Sequence, residues 1–230
     1  MREIDAETIM YPRNYQPFGR SWEKWAAIWC NWLLSIPKNR NPAIDEYGEY
    51  SSENQVEANV WFLAGTFGNN NTVRRKCVVP KSKSLLFPIL DKEDSFAEDI
   101  DLINEEELAT RARESMDRLI SLQLIVDGNR LSNISQYRVL SEFFDLAFPE
   151  NNVYGVKSGI TRAVCDGYWA FIKPLSVGLH EIYFSAQVFL PKDNEVTKQI
   201  RNSPVYSSVA EEIDKNSRLN LEVTYELTVQ

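Results

Sequence analysis

The chain has a single histidine, His180, among 230 residues. One imidazole excludes a multi-histidine metal centre and leaves at most one histidine base for catalysis. Cysteine is almost as scarce. Cys30, Cys77 and Cys165 are an odd set with no C-x-x-C spacing, so neither a disulfide framework nor a zinc site is written here. No cofactor and no metal is expected. Long apolar runs are missing too: stretches such as IWCNWLLSI fall well short of the roughly 20 residues a membrane span needs. The opening MREIDAETIMYPRN holds no apolar run of signal length, which gives a cytoplasmic location as the expectation, or export if the native start lies upstream. Positive charge is outnumbered, with 25 Lys and Arg against 33 Asp and Glu and a net charge of −8. That balance repels phosphate backbones and anionic lipid, so neither nucleic acid nor a membrane is an expected partner. No G-x-x-x-x-G-K, G-x-G-x-x-G or G-x-S-x-G occurs, so nucleotide-dependent and α/β-hydrolase chemistry lacks its usual scaffolds.

What is abundant is tryptophan in one place. SWEKWAAIWCNWLLSIP, residues 21–37, holds four of the six indoles. Ser21 is a good N-cap, and Trp22, Trp25, Ala26, Trp29, Trp32, Leu33 and Ile36 recur at helical steps until Pro37. The polar positions Glu23, Lys24 and Asn31 carry almost no net charge, unlike an interfacial membrane helix. The stripe predicts a helix over 21–36 that packs across a sheet, with an exposed binding stripe near Trp22 as the alternative.

Residues 1–20, with Pro12, Pro17 and Gly19, read as an extended arm. After the helix the period changes. NVWFLAGTF, the turn GNNNT and VRRKCVVP predict a hairpin, and SLLFPIL a further strand. The acidic run DKEDSFAEDIDLINEEE reads as a solvated loop, since its spacing matches no calcium loop. Asn104, with Glu107 three residues on, opens a helix expected over 104–122. LQLIVDGNRL and ITRAVCDGYWAFIKPL each suggest two strands about an Asp-Gly turn. LNLEVTYELTV alternates with period two, as a half-buried strand does. Ser203 and Pro204 cap a third helical segment over 203–215. The expected fold is therefore mainly β: one antiparallel β-sandwich domain of jelly-roll type, residues 21–230, with inserted helices.

Candidate site residues are few. His180 lies in LHEIYF, on the same strand face as Ile182 and Phe184. It is the one candidate for catalysis, provided Cys77, Cys165 or a carboxylate lies beside it; a hydrogen-bonded structural histidine is the plainer reading. Trp169 and Tyr168, and Trp22 beside the arm, are the candidate aromatic ligand platform, with core packing as the competing role.

SWEKWAAIWCNWLLSIP, DEYGEY, VWFLAGTF, RRKCVVP, SLLFPIL and DGYWAFIKPLSVGLHEIYFSA together resemble a family of uncharacterised microbial proteins. The likeness covers most of residues 21–229 and implies no activity. It also implies that relatives carry a cysteine near the position of Tyr50, a partner for the one matching Cys77. Tyr50 departs from that pattern, so this chain resembles a relative that has lost a disulfide, which suits a reducing compartment.

Three functional classes follow. The first is a non-enzymatic binding module for a protein, peptide or glycan, for instance an acidic partner of a basic protein that uses residues 91–107. The second is an enzyme, possible hydrolytic chemistry centring on His180. The third is a structural subunit whose residues 1–19 reach a neighbour. The sequence gives no oligomeric state.

Overall fold

Two helices form where the caps predict them. Ser21 Oγ accepts the Lys24 N–H at 3.1 Å and opens α1, Trp22–Leu34. Asn104 Oδ1 accepts the Glu107 N–H at 3.0 Å and opens α2, Glu105–Met116. The helix expected to reach residue 122 stops at Met116, because Leu119 onward is drawn into a strand. A computed structural model describes residues 1–67, 72–191 and 217–230. The third predicted helix, over 203–215, lies outside the described residues.

The strands are β1 Arg2–Asp5, β2 Val60–Phe62, β3 Val73–Val79, β4 Ser84–Ser95, β5 Leu119–Val126, β6 Asn129–Ser132, β7 Arg138–Leu140, β8 Phe144–Phe148, β9 Gly159–Ile172, β10 Gly178–Phe189 and β11 Arg218–Val229. One sheet has the order β1-β6-β5-β10-β11-β3 and the other β2-β4-β9-β7, with β8 also on β9. Phe87 of β4 lies on Phe184 of β10, ring centroids 4.8 Å apart. The protein is mainly β, and both sheets are mixed rather than antiparallel throughout. The parallel pairs are β1 with β6, β3 with β11, and β2 with β4. Each adds an N-terminal strand to a sheet edge, a long-range pairing that no local turn signal encodes.

Local signals account for what went as expected and what did not. Asp127 and Gly128 both have positive φ and turn β5 into β6. Asp166-Gly167 makes no turn: β9 runs straight through it. Gly167 is there for contact, since a Cβ at that position would sit 2.7 Å from Asp91 Cβ and from the Leu90 carbonyl. The predicted hairpin of β2 and β3 does not form, because the two strands join different sheets.

The first 20 residues are not a free arm. β1 pairs with β6, Met10 is fully buried, and Tyr11 donates its N–H to the Phe171 carbonyl at 2.9 Å. The four indoles of α1 explain why this irregular chain is held. Trp22 donates to the Pro12 carbonyl at 3.3 Å and Trp25 to Pro17 at 2.9 Å. Trp29 donates to Leu63 at 3.0 Å and Trp32 to Glu53 at 2.9 Å. Each ring is buried, and each N–H satisfies a carbonyl outside the helix, two of them in the segment before it, so the helix is at once core and loop anchor.

Arg75 of β3 does similar work from the other sheet. It is buried and no carboxylate pairs with it among the described residues. Its guanidinium donates to the carbonyls of Ala43, Asp45, Ala64 and Gly65 and to the Tyr225 hydroxyl, at 2.6–3.1 Å. A planar five-donor fork suits such a set of carbonyls.

Candidate functional site

The acidic run does not begin as a solvated loop. β4 continues past Leu90 because β9 offers ladder partners as far as Ala163: Asp91 faces Gly167, Lys92 Asp166, Glu93 Cys165, Asp94 Val164 and Ser95 Ala163. The ladder carries acids inward. Glu93, Asp94 and Asp99 are buried, while Asp91, Lys92 and Glu98 are partly exposed.

Alternation along β4 sorts these groups. Lys92 Nζ pairs with Asp94 Oδ1 at 2.8 Å, two residues on. Asp99 is held by Arg111 of α2 at 2.6 Å. Asp91 and Glu93 share the other set of positions. Asp91 Oδ2 is 3.9 Å from the Cys30 thiol of α1. Glu93, 2% exposed, receives no hydrogen bond at either carboxyl oxygen from a donor among the described residues. The polar group that faces it is another acid, Glu98.

Burial penalises the charged form of these acids and raises their pKa values. Asp91 is pushed up to about 7 by burial, against the pull of Lys92. Asp94 is pushed up to about 8 by burial, again opposed by Lys92. Glu93 rises well above the carboxylate range through burial and the nearby Glu98, and burial raises Glu98 as well. Burial alone would lower Lys92, but the surrounding Asp94, Glu98, Glu93 and Asp99 hold it well above its ordinary value. The Cys30 thiol is driven well up by burial, by Cys165 and by the acids Asp91 and Glu93. It is a neutral thiol, not a nucleophile.

Asp91 and Glu93 line a cavity of about 90 Å³. A single water needs about 10–15 Å³ of such space. Lys92 lines it as well, and the remaining wall is largely apolar and drawn from every layer: Trp29, Leu33 and Leu34 of α1, Met116 of α2, Val188 of β10 and Leu221 of β11. No group of three or more His, Cys, Asp or Glu has metal-holding geometry among the described residues.

The residues expected to form a site are elsewhere. Trp169, Tyr168 and Trp22 are 1%, 8% and 2% exposed. Trp169 packs edge-on against Trp29 at 5.4 Å, and Trp22 against Phe171 at 5.6 Å. As placed, none of the three presents a ring to a surface ligand. His180 is not sealed in apolar packing. It lines a groove on the first sheet with Arg74, Asp127, Glu181 and Glu226. Its Nδ1 lies 2.7 Å from Asp127 Oδ2, and its Nε2 lies 2.9 Å from the Ser176 carbonyl and 3.4 Å from Ser176 Oγ.

Asp, His and Ser in a row resemble a hydrolytic triad, but the proton count differs. Both ring nitrogens face oxygen acceptors, so both must donate, and the ring is most comfortable as imidazolium. Partial burial lowers its pKa, and the bonds to Asp127 and the Ser176 carbonyl more than offset this, for a net rise. An imidazolium has no lone pair to take the Ser176 proton. Cys77 is no alternative nucleophile: Leu227 stands between it and His180 in the ladder. Cys77 itself faces Ser51, next to Tyr50, and burial raises its pKa.

The residues missed from sequence are Asp91, Glu93 and Cys30 as cavity wall, and Asp127 and Ser176 as partners of His180. One signal for the first pair was present: D-x-E follows the apolar run SLLFPIL with no Gly, Pro or Asn to end the strand. Compared with known proteins, the chain matches no family model, no curated protein and no solved structure.

Proposed function

We propose that the protein is a non-enzymatic binding protein, and that its ligand site is the cavity between α1, β4 and the first sheet. The observation that carries this reading is Glu93: a buried carboxyl group with no hydrogen-bond donor among the described residues, in the wall of a largely apolar cavity that Asp91 and Lys92 also line. Such a group costs stability, and a ligand that supplies donors is a reason to keep it. The reading includes a β-sandwich of jelly-roll type as the fold. It also includes a cytoplasmic setting, which three free buried cysteines suit. No helix among the described residues is long and apolar enough to cross a membrane.

A protein, peptide or glycan partner would have to use outer surfaces, because the indoles that prompted that expectation are interior. A contiguous acidic patch from residues 91–107 has weaker support than before, since Glu93, Asp94 and Asp99 turn inward. A structural-subunit role through residues 1–19 has less support as well, because those residues are engaged by their own chain.

The test is thermal denaturation with small aromatic probes such as indole and phenethyl alcohol. A rise in Tm that is lost in a cavity-filling Leu33→Phe variant supports the reading. No rise with any probe, or an equal rise in the variant, counts against it.

Hydrolysis at His180 is a second reading, favoured only by the Asp127–His180–Ser176 alignment. It requires that para-nitrophenyl acetate be turned over and that both His180→Asn and Ser176→Ala abolish turnover.

A further inference from the structure

We infer that the ligand of the interlayer cavity is an organic cation, an apolar body with an ammonium head seated between Asp91 and Glu93, and that its uptake expels a proton. This rests on the binding reading above and names the class of ligand.

The argument is one of donors and charge. Among the described residues, Glu93 has two oxygens and no donor, and the only side-chain hydrogen bond to Asp91 is the weak one from the Cys30 thiol. An anionic head would oppose any ionisation of Asp91, Glu93 and Glu98, whose pKa values burial already raises. A neutral hydroxyl brings one donor for several acceptor sites. An ammonium brings three, and its charge is opposite to that of the carboxylates that would receive it. The protein's own cations do not fill this role: Lys92 is committed to Asp94 and Arg111 to Asp99 and Asp101. The apolar body has a matching wall in Trp29, Leu33, Leu34 and Met116.

Proton release follows from the state of the empty site. The groups facing the pair are Glu98, Asp94 and Lys92 beside it on β4 and the following turn, Asp99 and Arg111 behind, Cys30 of α1 and Cys165 of β9. The Cys30 thiol, raised by burial, brings no positive charge and the cations are already paired, so burial beside Glu98 favours the acid form of Glu93 when no ligand is bound. When R–NH3⁺ enters, the Glu93 O–H bond breaks, the proton leaves to solvent, and the carboxylate pairs with the ammonium. One positive charge enters and one leaves, and no electron is transferred.

The experiment is isothermal titration of the full chain at pH 6 with phenethylamine, phenethyl alcohol and phenylacetate. Each is run in two buffers that differ in ionisation enthalpy. The expected result is preferential binding of the amine with proton release, one from Glu93 and up to one more from Asp91, which titrates near 7. Glu93→Gln should weaken the amine about tenfold or more and leave the alcohol unchanged. Asp91→Asn serves as a second variant if Glu93→Gln fails to fold. Alcohol binding as tight as amine binding, or amine binding with no proton released, overturns the cation while leaving the cavity reading intact. If none of the three probes binds, both fall.

Discussion

Arg75 and Glu93 face the same penalty and meet it in opposite ways. Both are charged residue types in β-strands, and both are buried. Arg75 is surrounded by four carbonyls and a tyrosine hydroxyl, each within hydrogen-bond reach. Glu93 has no donor among the described residues, and a second acid opposes it. A buried charge that is fully solvated by the protein holds segments together. A buried acid left without donors weakens the fold unless something else completes it. The difference separates a structural residue from a functional one more sharply than burial does.

The largest expected effect comes from breaking the satisfied site. Arg75→Ala strands the carbonyls of Ala43, Asp45 and Gly65, while Ala64 keeps the Tyr225 hydroxyl, and should cost about 3–5 kcal/mol in chemical denaturation. A loss below about 1 kcal/mol would mean that loops 43–45 and 64–65 are held by other contacts. The next effect is on pH. In the unfolded chain Asp91, Glu93, Asp94 and Glu98 titrate near pH 4; in the fold Asp91 and Asp94 titrate near 7 and 8, with Glu93 and Glu98 also raised. The folded state therefore binds more protons between about pH 4 and 8, and stability falls as pH rises through that window. The raised His180 adds to the fall above its ordinary value. Tm should be lower at pH 8 than at pH 5 by roughly 2–8 °C, the reverse of ordinary acid denaturation; a flat or rising profile contradicts the acid cluster.

Completing the unsatisfied site should have the opposite sign to breaking Arg75. Glu93→Gln removes a titrating group without changing shape and should stabilise the protein at pH 8 by about 1–2 kcal/mol while flattening the pH profile. Destabilisation by that variant would show that Glu93 is structural after all. The smallest effect belongs to Ser176→Ala. Ser176 is exposed, and its hydroxyl is the longest contact His180 makes, so stability should change by less than about 0.5 kcal/mol. A much larger loss would give the hydroxyl a role that its carbonyl does not share.

The comparison also shows what a sequence can carry. The Ser21 cap, the tryptophan stripe, the Asn104 capping box, the Asp127-Gly128 turn and the alternation of β11 are local patterns, and each forms as read. Nothing in VRRKCVVP distinguishes the inward Arg75 from its outward neighbour Arg74 except position in the strand. The acids of β4 were hidden for a related reason. Polarity argued for water, while the unbroken partner strand β9 argued for burial, and that partner lies far along the chain. Gly167 misled in the same way: Asp-Gly looks like a turn, and only the approach of Asp91 reveals it as a site of close packing.

The parallel pairing of β3 with β11 has a consequence for synthesis. Val73 finds its ladder partner in Val223, so β3 leaves the ribosome with its sheet edge unformed. At about 5–20 residues per second, roughly ten seconds pass before that partner exists. Through that interval Arg75 has no Tyr225 to meet, and the four indoles of α1 have no β9 to cover. The nascent chain is thus an exposed apolar helix beside an open strand, the kind of segment that holding chaperones engage, and β11 is the strand that later closes the edge on which β3 waits.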